Sequence, residues 1–144
     1  PFERTVSNYN FFVQTAHDGH KSRASIFDTK GEIKNFYSWF TETPKMHNYM
    51  TRFLHEKIFG EEIKGEVSSE HLNRVIKILK GFYFLGLTES TKDHDSFYNL
   101  LGIKERFNRR NISTKCFEAN QEDREKFRKY NSIDYKLYKF IQNH

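Results

Sequence analysis

Cysteine is nearly absent from this chain. Cys116 is its single cysteine among 144 residues, so no internal disulfide can form and no cysteine-rich zinc site can be built. Histidine offers no substitute. Seven histidines are scattered with no His-x-x-x-His pair, and His47, His55, His71 and His94 share no ligand spacing and read as surface residues, so no metal is expected. Proline is scarce too, with only Pro1 and Pro44. No apolar run approaches the roughly eighteen residues of a membrane span. Low-complexity tracts, internal repeats and interdomain linkers are also missing, which argues for one domain or part of one. Apolar residues make up only 36% of the chain, a thin supply for a core. Aromatic residues, at 17%, offset that shortage, because each ring buries a large area.

What is present is mostly helical periodicity. Phe2, Val6, Tyr9 and Val13 recur at helical spacing behind Pro1, a residue suited to a helix start. Asp18-Gly19 marks a turn. Ile33, Phe36, Tyr37 and Phe40 predict a short amphipathic helix. Thr43-Pro44 opens another, with Met46, Tyr49, Met50, Phe53 and Leu54 on one face. Residues 60–65 read as a loop, after which Ser68 or Ser69 caps a helix burying Leu72, Val75, Ile76 and Leu79. Residues 82–87 form a nearly continuous apolar run, the pattern of a strand buried in a parallel sheet. Helices near 121–129 and 133–143 close the chain.

The formal charge is +5 and suits a protein that handles anions. Lys104, Arg106, Arg109, Arg110 and Lys115 form the densest basic cluster. Arg4 and Ser7 lie three residues apart near the positive end of the opening helix, a natural place to hold a phosphate. His17 and His20 flank a glycine turn beside Lys21 and Arg23. Asn111-Ile112-Ser113 is a glycosylation sequon, relevant only in a secretory compartment.

These residues carry a resemblance. Pro1-Phe2-Glu3-Arg4-x-x-Ser7-x-Tyr9 resembles the second half of the Arg-Asp-Pro-x-Glu-Arg-x-x-Ser-x-Tyr segment of Golgi-type carbohydrate sulfotransferases. Phe82-Tyr83-Phe84-Leu85-Gly86-Leu87-Thr88-Glu89 resembles a Val-Gly-Val-Thr-Glu strand and loop of the heparan sulfate and uronyl 2-O-sulfotransferases. Leu100-Leu101 matches the leucine pair on the helix that follows it. Arg109-Arg110-Asn111-Ile112-Ser113-Thr114-Lys115 matches a basic, hydroxyl-rich loop. Asp134, Leu137, Tyr138 and Phe140 match the closing helix. The matches fall in family order across most of the chain.

The resemblance implies an α/β fold, a parallel sheet flanked by helices, of which residues 1–144 would be a mostly helical C-terminal portion with about one core strand. It implies transfer of a sulfuryl group from PAPS to a carbohydrate hydroxyl on an acidic or neutral glycan. It places Ser7 and Arg4 on the 3′-phosphate of the donor, with Ser113 and Lys115 closing over the nucleotide. His20, Arg23 and Arg110 would face the acceptor, while Glu89 would order its loop. The phosphate loop, one further arginine and the catalytic base would lie ahead of Pro1, so no catalytic residue is assigned and this chain alone is expected to be inactive. The compartment would be the Golgi lumen, with room for an anchor ahead of Pro1, in a eukaryote, and the cytoplasm in a bacterium. Two other classes fit the composition. One is a helical, basic nucleic-acid-binding module, which requires aromatic rings on an exposed basic face. The other is a helical protein-interaction domain without chemistry.

Overall fold

The computed structural model describes residues 1–17, 26–104 and 117–144. Seven helices occur among them: α1 (Phe2–His17), α2 (Phe36–Thr41), α3 (Tyr49–Phe59), α4 (Ser69–Leu79), α5 (Thr91–Leu100), α6 (Gln121–Tyr130) and α7 (Ser132–Gln142), with a 3-10 turn at Pro44–Met46. No helix of the described residues is long and apolar enough to cross a membrane. The chain divides into two compact units, one of Pro1–Met50 with Ile112–Ser132 and one of Thr51–Asn111 with Ile133–His144.

The first unit is held by aromatic rings. Phe2, Tyr9, Phe36, Trp39, Phe40 and Phe127 are all buried, and Trp39 and Phe40 are wholly so. The opening stripe of α1 supplies Phe2, Thr5, Tyr9 and Val13 to this core, while Val6 stays half-buried. Phe2 meets Phe127 of α6 edge-on at 5.1 Å and Phe36 of α2 at 6.0 Å. Phe117 stacks on Phe36 at 4.6 Å. Such edge-on and offset pairs place the positive rim of one ring on the negative face of another, adding to the burial of apolar area. The Tyr9 hydroxyl satisfies itself by donating to the Lys34 carbonyl at 2.8 Å.

A side-chain amide closes this unit. Asn131 is 1% exposed, accepts the Asn48 N–H at 2.7 Å and donates to the Phe127 carbonyl at 3.0 Å. Asn48 has a φ of 50°, in the left-handed region that asparagine tolerates better than most residues.

The second unit has an aliphatic core of Ile63, Val67, Leu72, Val75, Leu79, Ile133 and Leu137. Ser68 caps α4 and forms a reciprocal capping box with His71, so the helix starts where its serine signal lies. Arg52 fastens the 60–65 loop by donating to the carbonyls of Ile63 and Gly65. Burial pulls its guanidinium below the usual value, against the raising pull of Asp134 and Glu62. His55 donates through Nδ1 to the Glu61 carbonyl at 3.1 Å.

The expected α/β architecture is not found. The described residues contain no strand, only an isolated antiparallel bridge between Phe27 and Ile33, and therefore no parallel sheet. Residues 82–87, read as the core strand, make no ladder. Tyr83 is 90% exposed and Phe82 is 49% exposed. A continuous apolar run becomes a buried strand only where flanking strands take its backbone groups. No strand among the described residues flanks it here. The run instead leaves α4 through a turn at 79–82 and lays the Phe84 ring over Gly86, where an added Cβ would meet it at 2.8 Å.

Candidate functional site

Helix α1 presents two faces of opposite character. Its buried face is fixed by the ring packing above, which leaves Arg4 and Ser7 exposed on the other side within the first two turns. The first turn also carries Glu3, which is paired with Arg124, and Arg124 lies over the Phe2 ring at 4.8 Å. The carboxylate of the first turn is thus engaged elsewhere. Arg4 has neutral company. Its Nη1 donates to the Met50 sulfur at 3.0 Å, and its Cζ lies 5.3 Å from the centroid of the Tyr49 ring. A thioether and a ring face steady a guanidinium without cancelling its charge. Among the described residues Arg4 makes no ion pair, and the Ser7 hydroxyl has no hydrogen-bond partner. Arg4, in the positive first turn of this 16-residue helix, and Ser7, one turn on, thus share its exposed side.

The other expected site residues divide in two. His20, Arg23, Arg110, Ser113 and Lys115 lie outside the described residues. His17 ends α1 on an exposed surface, because the helix runs past the point where its apolar spacing lapses. The landmarks of the closing helix have structural positions. Leu137 is core, and buried Asp134 accepts from the N–H and the hydroxyl of Thr51. Tyr138 is hydrogen-bonded to Glu89, and burial first, then that carboxylate, hold its hydroxyl above the ordinary tyrosine value. Glu89 also accepts from the Thr88 hydroxyl at 3.3 Å. The carboxylate thus links its loop to Tyr138 of α7.

The sequence reading missed the cap of α5. Ser90 accepts the Asp93 N–H, and Asp93 Oδ2 accepts the Leu87 N–H at 2.8 Å. The Ser-x-x-Asp spacing was the available signal, a box motif of the kind that begins helices. That cap sets the Phe97 ring 5.6 Å from Phe84 beside an open cleft. Among the described residues no group of three or more histidines, cysteines or carboxylates stands together to hold a metal.

Comparison with protein-family models, curated proteins and solved structures returned no match.

Proposed function

We propose that this chain contributes the donor-phosphate grip of a PAPS-dependent carbohydrate O-sulfotransferase. One observation carries the reading: Arg4 and Ser7 share the exposed side of the first turns of α1, with the charge of one and the hydroxyl of the other left unpaired among the described residues. Sulfuryl transfer, like phosphoryl transfer, depends on positioning and on charge stabilisation around the moving group. A rigid helix end with a steadied guanidinium holds a terminal phosphate without reorganising. The order of the sequence landmarks supports the same reading.

The nucleic-acid alternative needs exposed rings on a basic face: Phe2, Tyr9, Phe36, Trp39, Phe40 and Phe127 are buried, while Phe11, Phe53, Phe82, Tyr83, Phe97 and Tyr130 are exposed. The test is calorimetric titration of the chain with adenosine 3′,5′-bisphosphate, the nucleotide left after transfer. Ser7→Ala should weaken binding by roughly 1–3 kcal/mol, the cost of a hydrogen bond to a charged group, with folding unaffected. Unchanged affinity in both Ser7→Ala and Arg4→Ala would reject the assignment.

A further inference from the structure

A cleft of about 360 Å³ opens between residues 84–88 and the first two turns of α5. That volume falls within the roughly 300–1,000 Å³ of small-ligand sites. Phe84, Phe97 and Tyr98 line it, and Phe97 is 43% exposed. Such rings are normally buried where a core is available. Here Phe84 and Phe97 face each other only at a tilt of 35°, leaving ring surface to the cleft. The polar groups converge from the capped helix start. Thr88 and Asp93 belong to the lining, and Asp93 Oδ2 is spent on the Leu87 N–H while its Oδ1 has no hydrogen-bond partner among the described residues. Glu89 adjoins through its bond to Thr88. The described lining contains no lysine or arginine.

We infer that this cleft binds a neutral pyranose ring, an assignment that rests on the carbohydrate sulfotransferase reading above. Two physical arguments select this occupant. The C–H groups on one face of a pyranose are weakly positive and fit the negative face of an aromatic ring. Its hydroxyls donate to carboxylates, and Asp93 offers a free oxygen held in place by the loop N–H. The same carboxylates repel a uronate or a sulfated sugar, since the described lining, which also includes His94, holds no lysine or arginine to offset them. The expectation from the resemblance, an acidic or a neutral glycan, narrows to the neutral class.

The full chain, titrated with methyl glucoside, methyl galactoside and glucuronate, should report this by NMR. At least one neutral pyranoside should shift the Phe84, Phe97 and Tyr98 signals, and glucuronate should bind roughly tenfold more weakly. Phe97→Leu keeps an apolar side chain but removes the ring, and should weaken the neutral sugar by roughly tenfold with the far-UV spectrum unchanged. Asp93→Asn keeps an acceptor for the Leu87 N–H and should relax the exclusion of glucuronate. Absence of shifts with every sugar overturns the inference, as does glucuronate binding better than the neutral sugars. Cleft shifts that follow protein concentration alone would assign the surface to a second copy and also overturn it. A parallel titration with adenosine 3′,5′-bisphosphate separates the two readings. Nucleotide binding without sugar binding defeats only the cleft assignment, and sugar binding without nucleotide binding defeats only the donor grip.

Discussion

Asp134 accepts two hydrogen bonds from Thr51 through one oxygen, from the backbone N–H at 2.8 Å and from Oγ1 at 2.7 Å, across 83 residues of sequence. Thr51 lies in the first turn of α3, whose N–H groups have no partner within the helix. Asp134 is therefore a helix cap supplied from α7 rather than from the residue preceding the helix. Both residues are buried, at 0% and 3% exposure, so neither has water as a substitute partner. Asp134→Ala should destabilise the second unit by about 2–4 kcal/mol, combining a lost charged hydrogen bond with an orphaned buried donor. Urea denaturation measures it, and a loss under half a kcal/mol would refute the cap.

The aromatic core of the first unit makes a comparable demand. Phe127 is 1% exposed and touches both Phe2 and Phe40. Phe127→Ala should cost about 3–5 kcal/mol through lost transfer energy and the cavity left behind. Thermal unfolding followed by near-ultraviolet dichroism reports on these rings.

Residues 82–87 supply the opposite expectation. Tyr83→Ser removes an apolar ring from an exposed position and should change stability by no more than about half a kcal/mol. A loss of several kcal/mol would mean that the segment is buried after all.

The pair formed by Tyr138 and Glu89 gives a dependence on alkaline pH. Burial and the Glu89 carboxylate raise the tyrosine above its ordinary value of about 10, so the fold favours the neutral phenol. The stability from this group is fully present below the unfolded value and is lost as pH rises through the folded one. Glu89→Gln should lower the Tyr138 titration part of the way, because burial, the larger cause, remains. NMR of the tyrosine ring carbon follows that titration directly.

How much of this was legible in the sequence depends on the range of the interaction. The helix that buries Leu72, Val75 and Leu79 follows from spacing and a serine cap within a few residues, and α2 from the spacing of Phe36, Tyr37 and Phe40, although Ile33, read with them, lies ahead of it in a bridge with Phe27. The strand did not follow, because an apolar run states that a segment wants burial, not whether partners are there to bury it. Asp134 was visible as one residue of a resemblance, but its partner Thr51 was not, since nothing local distinguishes a capping carboxylate from a solvated one. Arg4 and Ser7 were legible as a spacing on one helix face. The Tyr49 ring and Met50 sulfur that steady Arg4 were not, being 45 and 46 residues away. The Phe84 and Phe97 cleft was hidden because the apolar run assigns Phe84 to a strand, while Phe97 meets it from a helix thirteen residues further on.

The donor grip is the central claim, and the 3′-phosphate isolates it. The chain is titrated with adenosine 3′,5′-bisphosphate and with adenosine 5′-phosphate, which differ only in that group. The account predicts that the bisphosphate binds roughly tenfold or more tightly, by about 1.4 kcal/mol or more, and that Ser7→Ala together with Arg4→Ala erases the preference. Equal affinity of the unaltered chain for the two nucleotides, or a preference that survives both substitutions, would contradict it.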